Sequence, residues 1–329
     1  MPANLTPQYR KAEAAYRAAK TTEEKIARLE EMLRVIPRHK GTDHLFGDLK
    51  RKLAQLRREP KQKSAGSRVN LYYVPKTGAG QVVLLGPPNS GKSALVDRLT
   101  NAKVEVADYP FTTRLPQPGM YVYSEVPIEL VDTPPVTADY FESEMLSTLR
   151  ECDVVAPVVD AGAPGVLEDL EMVFGHLAER HFQLVSRPYA ESDDENPELV
   201  MPAFIVAAKC DLEGASGNLD ALRELYGAKF RIVATSVATG EGLEEVGREV
   251  LRLIDVIRVY AKPPGRDVDR SAPFCLRRGS TVLDMARQIH RELPDKLKSA
   301  RVWGSAKFDG QTVPRDHVLR DGDVVELNE

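Results

Sequence analysis

The sequence contains only three cysteines in 329 residues, and they follow no metal-binding spacing. Cys152, Cys210 and Cys275 are far apart, odd in number and set among apolar neighbours, so neither disulfides nor a zinc site are indicated. The first residues lack the apolar core of a signal peptide, and no uninterrupted apolar run approaches the ~20 residues of a membrane span. We therefore predict a cytoplasmic protein with no membrane partner.

Charge is distributed unevenly along the chain, although the formal net charge is only −4. Residues 1–70 carry about 17 Lys and Arg against about 8 Asp and Glu. Residues 271–329 are nearly balanced, and the middle of the chain is acidic, with about 18 basic against about 32 acidic residues. A basic segment beside an acidic body is typical of an RNA-contacting appendage, and a solvated helical surface would give the same pattern.

The basic segment has helical periodicity on both sides of Pro37 and Gly41, which interrupt the pattern. Thr21 and Glu24 have the spacing of a helix N-terminal capping box. Because each amphipathic helix must bury its apolar stripe, we predict a helical hairpin over residues 1–70. The side chains available there for RNA phosphates are Arg38, Lys40, Lys50, Arg51, Lys52, Arg57 and Arg58.

The middle of the chain alternates short β-branched apolar runs with helical segments, which predicts a doubly wound α/β domain over residues 71–262. We expect its closing helix at 241–259 and an exposed acidic loop at 191–198. Residues 268–329 contain strand-like ends around a helix predicted over 282–293, which favours a small α+β module. The predicted strands of the α/β domain are 82–86, 128–132, 153–160, 203–209 and 231–236.

Residues 86–93 read Gly-Pro-Pro-Asn-Ser-Gly-Lys-Ser between a predicted strand and a predicted helix, the context of a phosphate-binding P-loop. The two glycines allow successive N–H groups to point at phosphates, and the dipole of the following helix adds to the attraction. Lys92 would place a positive charge beside the β- and γ-phosphates. The predicted phosphate-binding residues are Gly86, Asn89, Ser90, Gly91, Lys92, Ser93 and Ala94.

Three oxygen-bearing residues predict a Mg²⁺ site next to this loop. The Ser93 hydroxyl can ligate the ion, and Asp132 ends a later predicted strand, where a carboxylate for Mg²⁺ belongs. Thr113 lies in the intervening loop and can supply the hydroxyl that closes on Mg²⁺ when γ-phosphate is present. We predict Lys92 and Thr113 as the catalytic residues.

A second pair of strand ends predicts guanine recognition. Asp211 can accept hydrogen bonds from the N1–H and the 2-amino group of guanine, which adenine does not offer. Lys209 can lie along the purine ring. Ser236 and Val237 follow the next strand and are expected to present a backbone N–H to the guanine O6 atom.

With these motifs in order, residues 81–257 resemble the Obg/Drg group of TRAFAC GTPases. The segment YPFTT at 109–113 is similar to that group's first switch, in which the second Thr, here Thr113, senses Mg²⁺. Residues 300–327 resemble a TGS domain, which is a ubiquitin-like β-grasp module, and the N-terminal helices are similar to those of Drg-type proteins. The resemblance implies a P-loop GTPase that works on ribosomes or RNA.

The chain departs from the group's pattern at two motifs. Where the group has Asp-x-x-Gly, this chain ends the motif with Pro135, which has no N–H for the γ-phosphate. Ala208 stands in place of the usual Asn before Lys209. Asn89 occupies a P-loop position that helps to hold K⁺ in potassium-activated relatives; it is equally well explained as a turn residue.

The sequence leaves two functions open. One is an enzyme that hydrolyses GTP slowly with Mg²⁺ and is accelerated by a ribosomal or RNA partner. The other is an adaptor that senses GTP and GDP, binds ribosomes through the basic hairpin and the TGS domain, and hydrolyses little. Pro135 favours the second. Aminoacyl-tRNA synthetases and stringent-response enzymes also carry TGS domains, but neither catalytic domain is present here.

Overall fold

The computed structural model describes residues 7–18, 22–36, 46–47, 49–52, 70–100, 115–196, 198–263, 265–270 and 272–328. The chain forms two compact units, residues 1–69 and residues 70–329. The switch segment 109–113, including Thr113, and the basic residues Arg38, Lys40, Arg57 and Arg58 lie outside the described residues.

The N-terminal unit is helical, as predicted. Helices α1 (Pro7–Ala18) and α2 (Thr22–Val35) pack against each other, and residues 46–47 and 49–52 are helical as well. Burial of one apolar face from each helical segment explains why the periodic residues fold this way. The buried core consists of Tyr9, Ala12, Leu29, Met32, Ile36 and Leu49.

The second unit begins with a six-stranded sheet in the order β2-β3-β1-β4-β7-β8. All neighbours in this sheet are parallel except the edge strand β2, which pairs antiparallel with β3. The five strands predicted from the sequence correspond to β1, β3, β4, β7 and β8, so the doubly wound fold is confirmed. The strands are β1 (Gly80–Leu85), β2 (Gln117–Tyr123), β3 (Val126–Asp132), β4 (Val154–Asp160), β7 (Ile205–Ala208) and β8 (Ile232–Thr235).

Helices cover both faces of this sheet, which is why its central strands are buried and nearly continuously apolar. Connections through helices return each parallel strand to the same direction, so their carboxyl ends share one edge. The helices are α3 (Lys92–Thr100), α4 (Leu146–Glu151), α5 (Val166–Ala178), α6 (Ala215–Tyr226) and α7 (Leu243–Ile254).

The acidic segment predicted as an exposed loop is more ordered than expected. Residues Glu191–Glu195 form a 3₁₀ helix between the short parallel strands β5 (Phe182–Val185) and β6 (Leu199–Pro202). Asp193 is buried, and its carboxylate is paired with the Arg187 guanidinium at 2.6 Å, which lowers the pKa of Asp193. The local acidity of the sequence did not indicate this partner.

The C-terminal module is a β-grasp, as predicted, with a five-stranded sheet in the order β10-β9-β13-β11-β12. The parallel pair β9 and β13 lies at its centre, and helix α8 packs on one face. The elements are β9 (Val256–Ala261), β10 (Phe274–Arg277), α8 (Val282–Ile289), α9 (Leu293–Lys296), β11 (Ser299–Trp303), β12 (Gln311–Val313) and β13 (Val324–Asn328).

The closing helix predicted over 241–259 is shorter than expected. It ends at Ile254, because Asp255 adopts a left-handed conformation with φ 47°, and the alternating residues Val256–Ala261 form strand β9 of the β-grasp sheet. The module therefore begins at Val256, before residue 268. The helix predicted over 282–293 likewise ends early, at Ile289, where extended His290 interrupts it.

Strand β9 also contacts the turn between β2 and β3. The Arg258 guanidinium donates hydrogen bonds to Ser124 O and Oγ, both at 3.2 Å, and the Tyr260 hydroxyl donates to Glu125 Oε2 at 2.6 Å. Ser124 and Glu125 both have positive φ, as a tight hairpin turn between antiparallel strands requires. Across the described ranges, none of the helices combines the length and the apolar character needed to cross a bilayer.

Candidate functional site

The P-loop joins the end of β1 to the start of α3 in a tightly curled backbone. A Cβ atom on Gly86 would lie 2.2 Å from Val158 O, so only glycine fits between the loop and strand β4. Gly91 has φ 103° and Asn89 has φ 61°, both in the left-handed region. Such alternation of backbone conformation turns successive N–H groups to the concave side of a loop.

Lys92 is buried at the centre of this loop, with 6% of its surface exposed. Its ammonium group donates hydrogen bonds to Gly86 O at 2.8 Å, to Pro87 O at 2.9 Å and to Ser90 Oγ at 3.3 Å. The loop therefore holds a positive charge at the N-terminus of α3, where the helix dipole is positive as well. Ala94 is exposed in the first turn of the same helix. An anion of the size and charge of a phosphate fits this environment.

The two described members of the predicted Mg²⁺ site lie in contact. The Ser93 hydroxyl donates a hydrogen bond to Asp132 Oδ2 at 2.6 Å, which brings the start of α3 to the end of β3. A hydroxyl and a carboxylate are hard oxygen ligands, so the donor set fits Mg²⁺. In the described ranges, no group of three or more His, Cys, Asp and Glu could hold a metal. Mg²⁺ commonly takes its remaining ligands from phosphates and water.

The segment after Asp132 is docked onto the body of the domain. The Thr133 hydroxyl donates to Leu84 O at 2.6 Å, and the Val136 N–H donates to Gly86 O of the P-loop at 3.0 Å. Pro135, between them, has no N–H to offer. This segment therefore touches the phosphate-binding loop through the Val136 amide.

The residues predicted to recognise the base lie at the ends of β7 and β8. Lys209 has φ 59°, and its ammonium group donates to Asp160 Oδ2 at 2.6 Å and to Asn89 O at 2.7 Å. Asp211 is exposed two residues further on. Burial raises the pKa of the Cys210 thiol, and the negative charge of nearby Glu241 raises it further.

In the loop after β8, one of the two N–H groups predicted to contact the guanine O6 atom is already hydrogen-bonded. The Ser236 N–H donates to Glu241 O at 3.0 Å, and the Ser236 hydroxyl accepts from the Thr239 N–H at 3.1 Å. The Val237 N–H makes no hydrogen bond within the described part of the chain. Of the two predicted donors, the amide that is available to a base is that of Val237, and Ser236 shapes the loop.

The structure brings the described members of the predicted site to one edge of the sheet, where the carboxyl ends of parallel strands bind ligands in this class of fold. The P-loop, Asp132 and the Lys209–Asp211 segment follow β1, β3 and β7. The sequence analysis missed Asp160, which ends β4 at the same edge. Its position at the end of a buried apolar run was the available signal.

Two family models match the chain, one in each part of the second unit. Residues 81–187 match a model described as "50S ribosome-binding GTPase", and residues 257–328 match the TGS domain. The second match begins within β9, in agreement with the strand pairing of the β-grasp sheet.

Similar proteins span both parts. A GTP-binding protein of Halobacterium salinarum is 31% identical over 363 residues, which covers 93% of this chain and 98% of that protein. A GTP-binding protein of Methanocaldococcus jannaschii is 29% identical, with 93% of this chain and 92% of that protein covered. Ribosome-interacting GTPase 1 of Saccharomyces cerevisiae is 28% identical over 93% of this chain and 99% of its own length. The chain belongs to the Obg/Drg group of TRAFAC P-loop GTPases that carry a C-terminal TGS domain.

Proposed function

We propose that this chain binds GTP and GDP, hydrolyses GTP slowly with Mg²⁺, and acts in the cytoplasm as a ribosome- or RNA-associated switch. The observation that carries the proposal is the meeting of three loops at one sheet edge. Buried Lys92, the Ser93–Asp132 pair at 2.6 Å and the Lys209–Asn89 contact at 2.7 Å support the proposed contacts with phosphate, metal and base.

The chain's own groups would act by positioning and by charge. Lys92 and the N–H groups at the start of α3 hold the β- and γ-phosphates where negative charge develops as the β–γ bond breaks. Ser93 and Asp132 are proposed to hold Mg²⁺ directly or through water, with Thr113 as a further ligand. When bound, Mg²⁺ neutralises phosphate charge. Val136, at the position of the water-orienting Gln of Ras-like enzymes, is buried and apolar, which is consistent with slow hydrolysis without a partner.

K⁺ dependence is proposed for Asn89. Its side chain is exposed at the mouth of the P-loop, and its left-handed backbone directs Asn89 O to Lys209. A cation held by the Asn89 amide oxygen near the β/γ bridge would stabilise the same developing charge as an arginine finger. Equal turnover in KCl and NaCl would make Asn89 a turn residue only.

The proposed partner follows from the relatives and from charge. One relative is named a ribosome-interacting GTPase, and one matching model is described as ribosome-binding. The described basic residues Lys50, Arg51 and Lys52 lie on the surface of the N-terminal unit, where phosphates can approach them. We propose that this unit and the TGS domain bind the ribosome or RNA.

One observation favours the alternative of a GTP/GDP-sensing adaptor with little hydrolysis. In Asp-x-x-Gly proteins the Gly N–H binds the γ-phosphate, whereas here Pro135 has none and the next amide, that of Val136, is bonded to Gly86 O at 3.0 Å. Neither position 135 nor position 136 then offers an N–H to the γ-phosphate, and nucleotide sensing would depend on the segment containing Thr113.

The experiment that decides is GTP turnover by the purified protein in KCl and in NaCl, with and without ribosomes. Lys92→Ala should abolish turnover and weaken nucleotide binding. Lys76→Ala is the matched control, because Lys76 pairs with Asp153 at the opposite edge of the sheet. Turnover that rises with ribosomes and disappears only in Lys92→Ala supports the switch. Tight GTP and GDP binding without turnover in any condition supports the adaptor, and no guanine nucleotide binding refutes both.

A further inference from the structure

Lys209 is fixed by two contacts that connect three loops. Its ammonium group lies 2.6 Å from Asp160 Oδ2, after β4, and 2.7 Å from Asn89 O, in the P-loop. The Asp160 carboxylate is only 19% exposed and the Lys209 side chain 37%, so the ion pair is partly shielded from water. Charge-assisted hydrogen bonds of this kind are shorter and stronger than neutral ones.

Ala208, the residue before Lys209, has no side-chain group that could bond to the P-loop. Ala208 pairs in register with Thr235 on β8, and it has no polar side chain. The Thr235 hydroxyl is buried and has no hydrogen-bond partner among the described residues. On the other side, a Cβ atom on Gly91 would lie 3.2 Å from Ala208 Cβ, so the P-loop approaches Ala208 with backbone alone. Lys209 therefore provides the side-chain link between the P-loop and the base loop, which is residues 209–211 after β7.

Asp160 is itself held firmly. Its Oδ1 atom accepts a hydrogen bond from the Gly162 N–H at 2.9 Å, and the Ala161 N–H donates to Ala208 O at 2.8 Å. The Asn218 amide of α6 donates to Ala161 O at 2.7 Å and to Ala163 O at 2.9 Å, which ties down the loop after β4. A carboxylate with both oxygens engaged and a braced backbone is preorganised to orient a lysine.

We propose that Asp160 is a positioning residue for guanine-nucleotide binding: it orients Lys209 so that the lysine stem lies along the purine while its ammonium group ties the base loop to the P-loop. The inference rests on the proposed binding of guanine nucleotides. Asp160 itself is not assigned a contact with the nucleotide. It acts through Lys209, and without it the lysine keeps only the Asn89 carbonyl.

Asp160→Asn is the direct test, because the amide keeps an acceptor for the Gly162 N–H and removes the charge. We expect GTP and GDP to bind about tenfold more weakly, the size expected for loss of one charge-assisted hydrogen bond. The single-turnover rate at saturating GTP should not change, since Lys92, Ser93 and Asp132 remain in place. Asp160→Ser is a second variant that also keeps an acceptor at this position.

The matched control is Asp153→Asn at the other end of β4, where the carboxylate pairs with Lys76 and accepts the Gln81 N–H at 2.9 Å. Its nucleotide affinity should equal that of the wild type, and thermal unfolding without nucleotide should show all variants folded. If Asp153→Asn and Asp160→Asn lost equal nucleotide affinity, the loss would be explained by general destabilisation of the domain. That result would overturn the proposal.

A double-mutant cycle with Lys209→Ala separates positioning from a merely structural role. If Asp160 acts through Lys209, Asp160→Asn causes no further loss of GTP affinity in the Lys209→Ala background. Additive losses would overturn the proposal, and so would wild-type affinity in both Asp160 variants. A wild-type protein that binds no guanine nucleotide would instead refute the proposed function, on which this inference rests.

Discussion

At the scale of single residues, we propose that Asp211 selects guanine. Its carboxylate is exposed at the carboxyl edge of the sheet, just beyond the fixed Lys209, so it is placed to meet the hydrogen-bonding edge of a base. A carboxylate accepts from both the N1–H and the 2-amino group of guanine. The Val237 N–H offers the complementary donor for the O6 atom.

Asp211→Asn should exchange the preferred base from guanine to xanthine. The Asn amide presents one acceptor and one donor, and xanthine has a carbonyl where guanine has its 2-amino group. We expect GTP affinity to fall by roughly a hundredfold, because a polar group of the base loses its partner, while XTP binding improves. Competition of GTP, XTP and ATP against a fluorescent nucleotide measures this. Leu212→Ala, at the exposed neighbouring side chain, is the control. Unchanged GTP preference would remove Asp211 from base recognition.

Residue-level prediction from the sequence was best where a single local motif dictates the geometry. Gly86, Lys92 and Ser93 follow from the P-loop pattern, because only glycine fits at 2.2 Å from Val158 O and the helix start fixes the rest. The Asp160–Lys209 pair and the bonding of the Ser236 N–H to Glu241 O were missed. The first contact joins the ends of β4 and β7, which no local pattern brings together, and the second closes the single loop after β8.

At the scale of elements, we propose that the segment 133–136 limits how the γ-phosphate can be sensed. The Thr133 hydroxyl and the Val136 N–H fasten its two ends to β1 and to the P-loop. His176 on α5 lies with Nε2 2.8 Å from Thr137 O, which extends the docking into the following turn. Between these two fastened ends lie Pro134 and Pro135, and neither has an N–H to donate to a γ-phosphate.

Pro135→Gly supplies that donor. The new N–H and the freer φ should let the segment bind the γ-phosphate, so we expect single-turnover hydrolysis to rise by about tenfold, a modest share of what one preorganised donor contributes in other enzymes. Rapid-quench measurement of phosphate release from bound GTP tests this. Pro134→Ala adds an N–H one residue earlier and serves as the control. A rate that stays at the wild-type level would mean that the proline does not limit hydrolysis.

The β-grasp module was predicted correctly as a fold, but its first residue was placed at 268 instead of Val256. The segment Val256–Ala261 follows α7 after one residue, and its apolar content reads equally as helix or strand. Pairing with β10 and β13, which come much later in the chain, makes it a strand. Tertiary context therefore set the start of the module, whereas helix α8, which the structure begins with a capping box of Thr281 and Asp284, was predicted from the sequence.

At the scale of the whole molecule, charge separates the parts of the chain. The N-terminal unit is basic in sequence, and the middle of the chain, which contains the GTPase fold, is acidic. The Lys50 ammonium lies 5.0 Å from the centre of the Phe46 ring, and that of Lys52 lies 5.6 Å from the Tyr16 ring, while both side chains remain exposed. Cations kept at the surface in this way are available to phosphates, and the acidic middle would repel RNA from the nucleotide-binding edge.

Replacement of Lys50, Arg51 and Lys52 together by Gln should therefore weaken ribosome binding and make it less sensitive to salt. If each cation neutralises one phosphate, the slope of log affinity against log salt should become shallower by about two to three. Co-sedimentation with ribosomes over a series of KCl concentrations measures both quantities. Arg150→Gln with Arg223→Gln and Arg248→Gln, three exposed substitutions on α4, α6 and α7, removes the same net charge and should leave the slope unchanged. An unchanged slope in the triple variant would show that ribosome binding does not use residues 50–52. If the triple variant and the control weakened binding equally, only the net charge of the protein would matter.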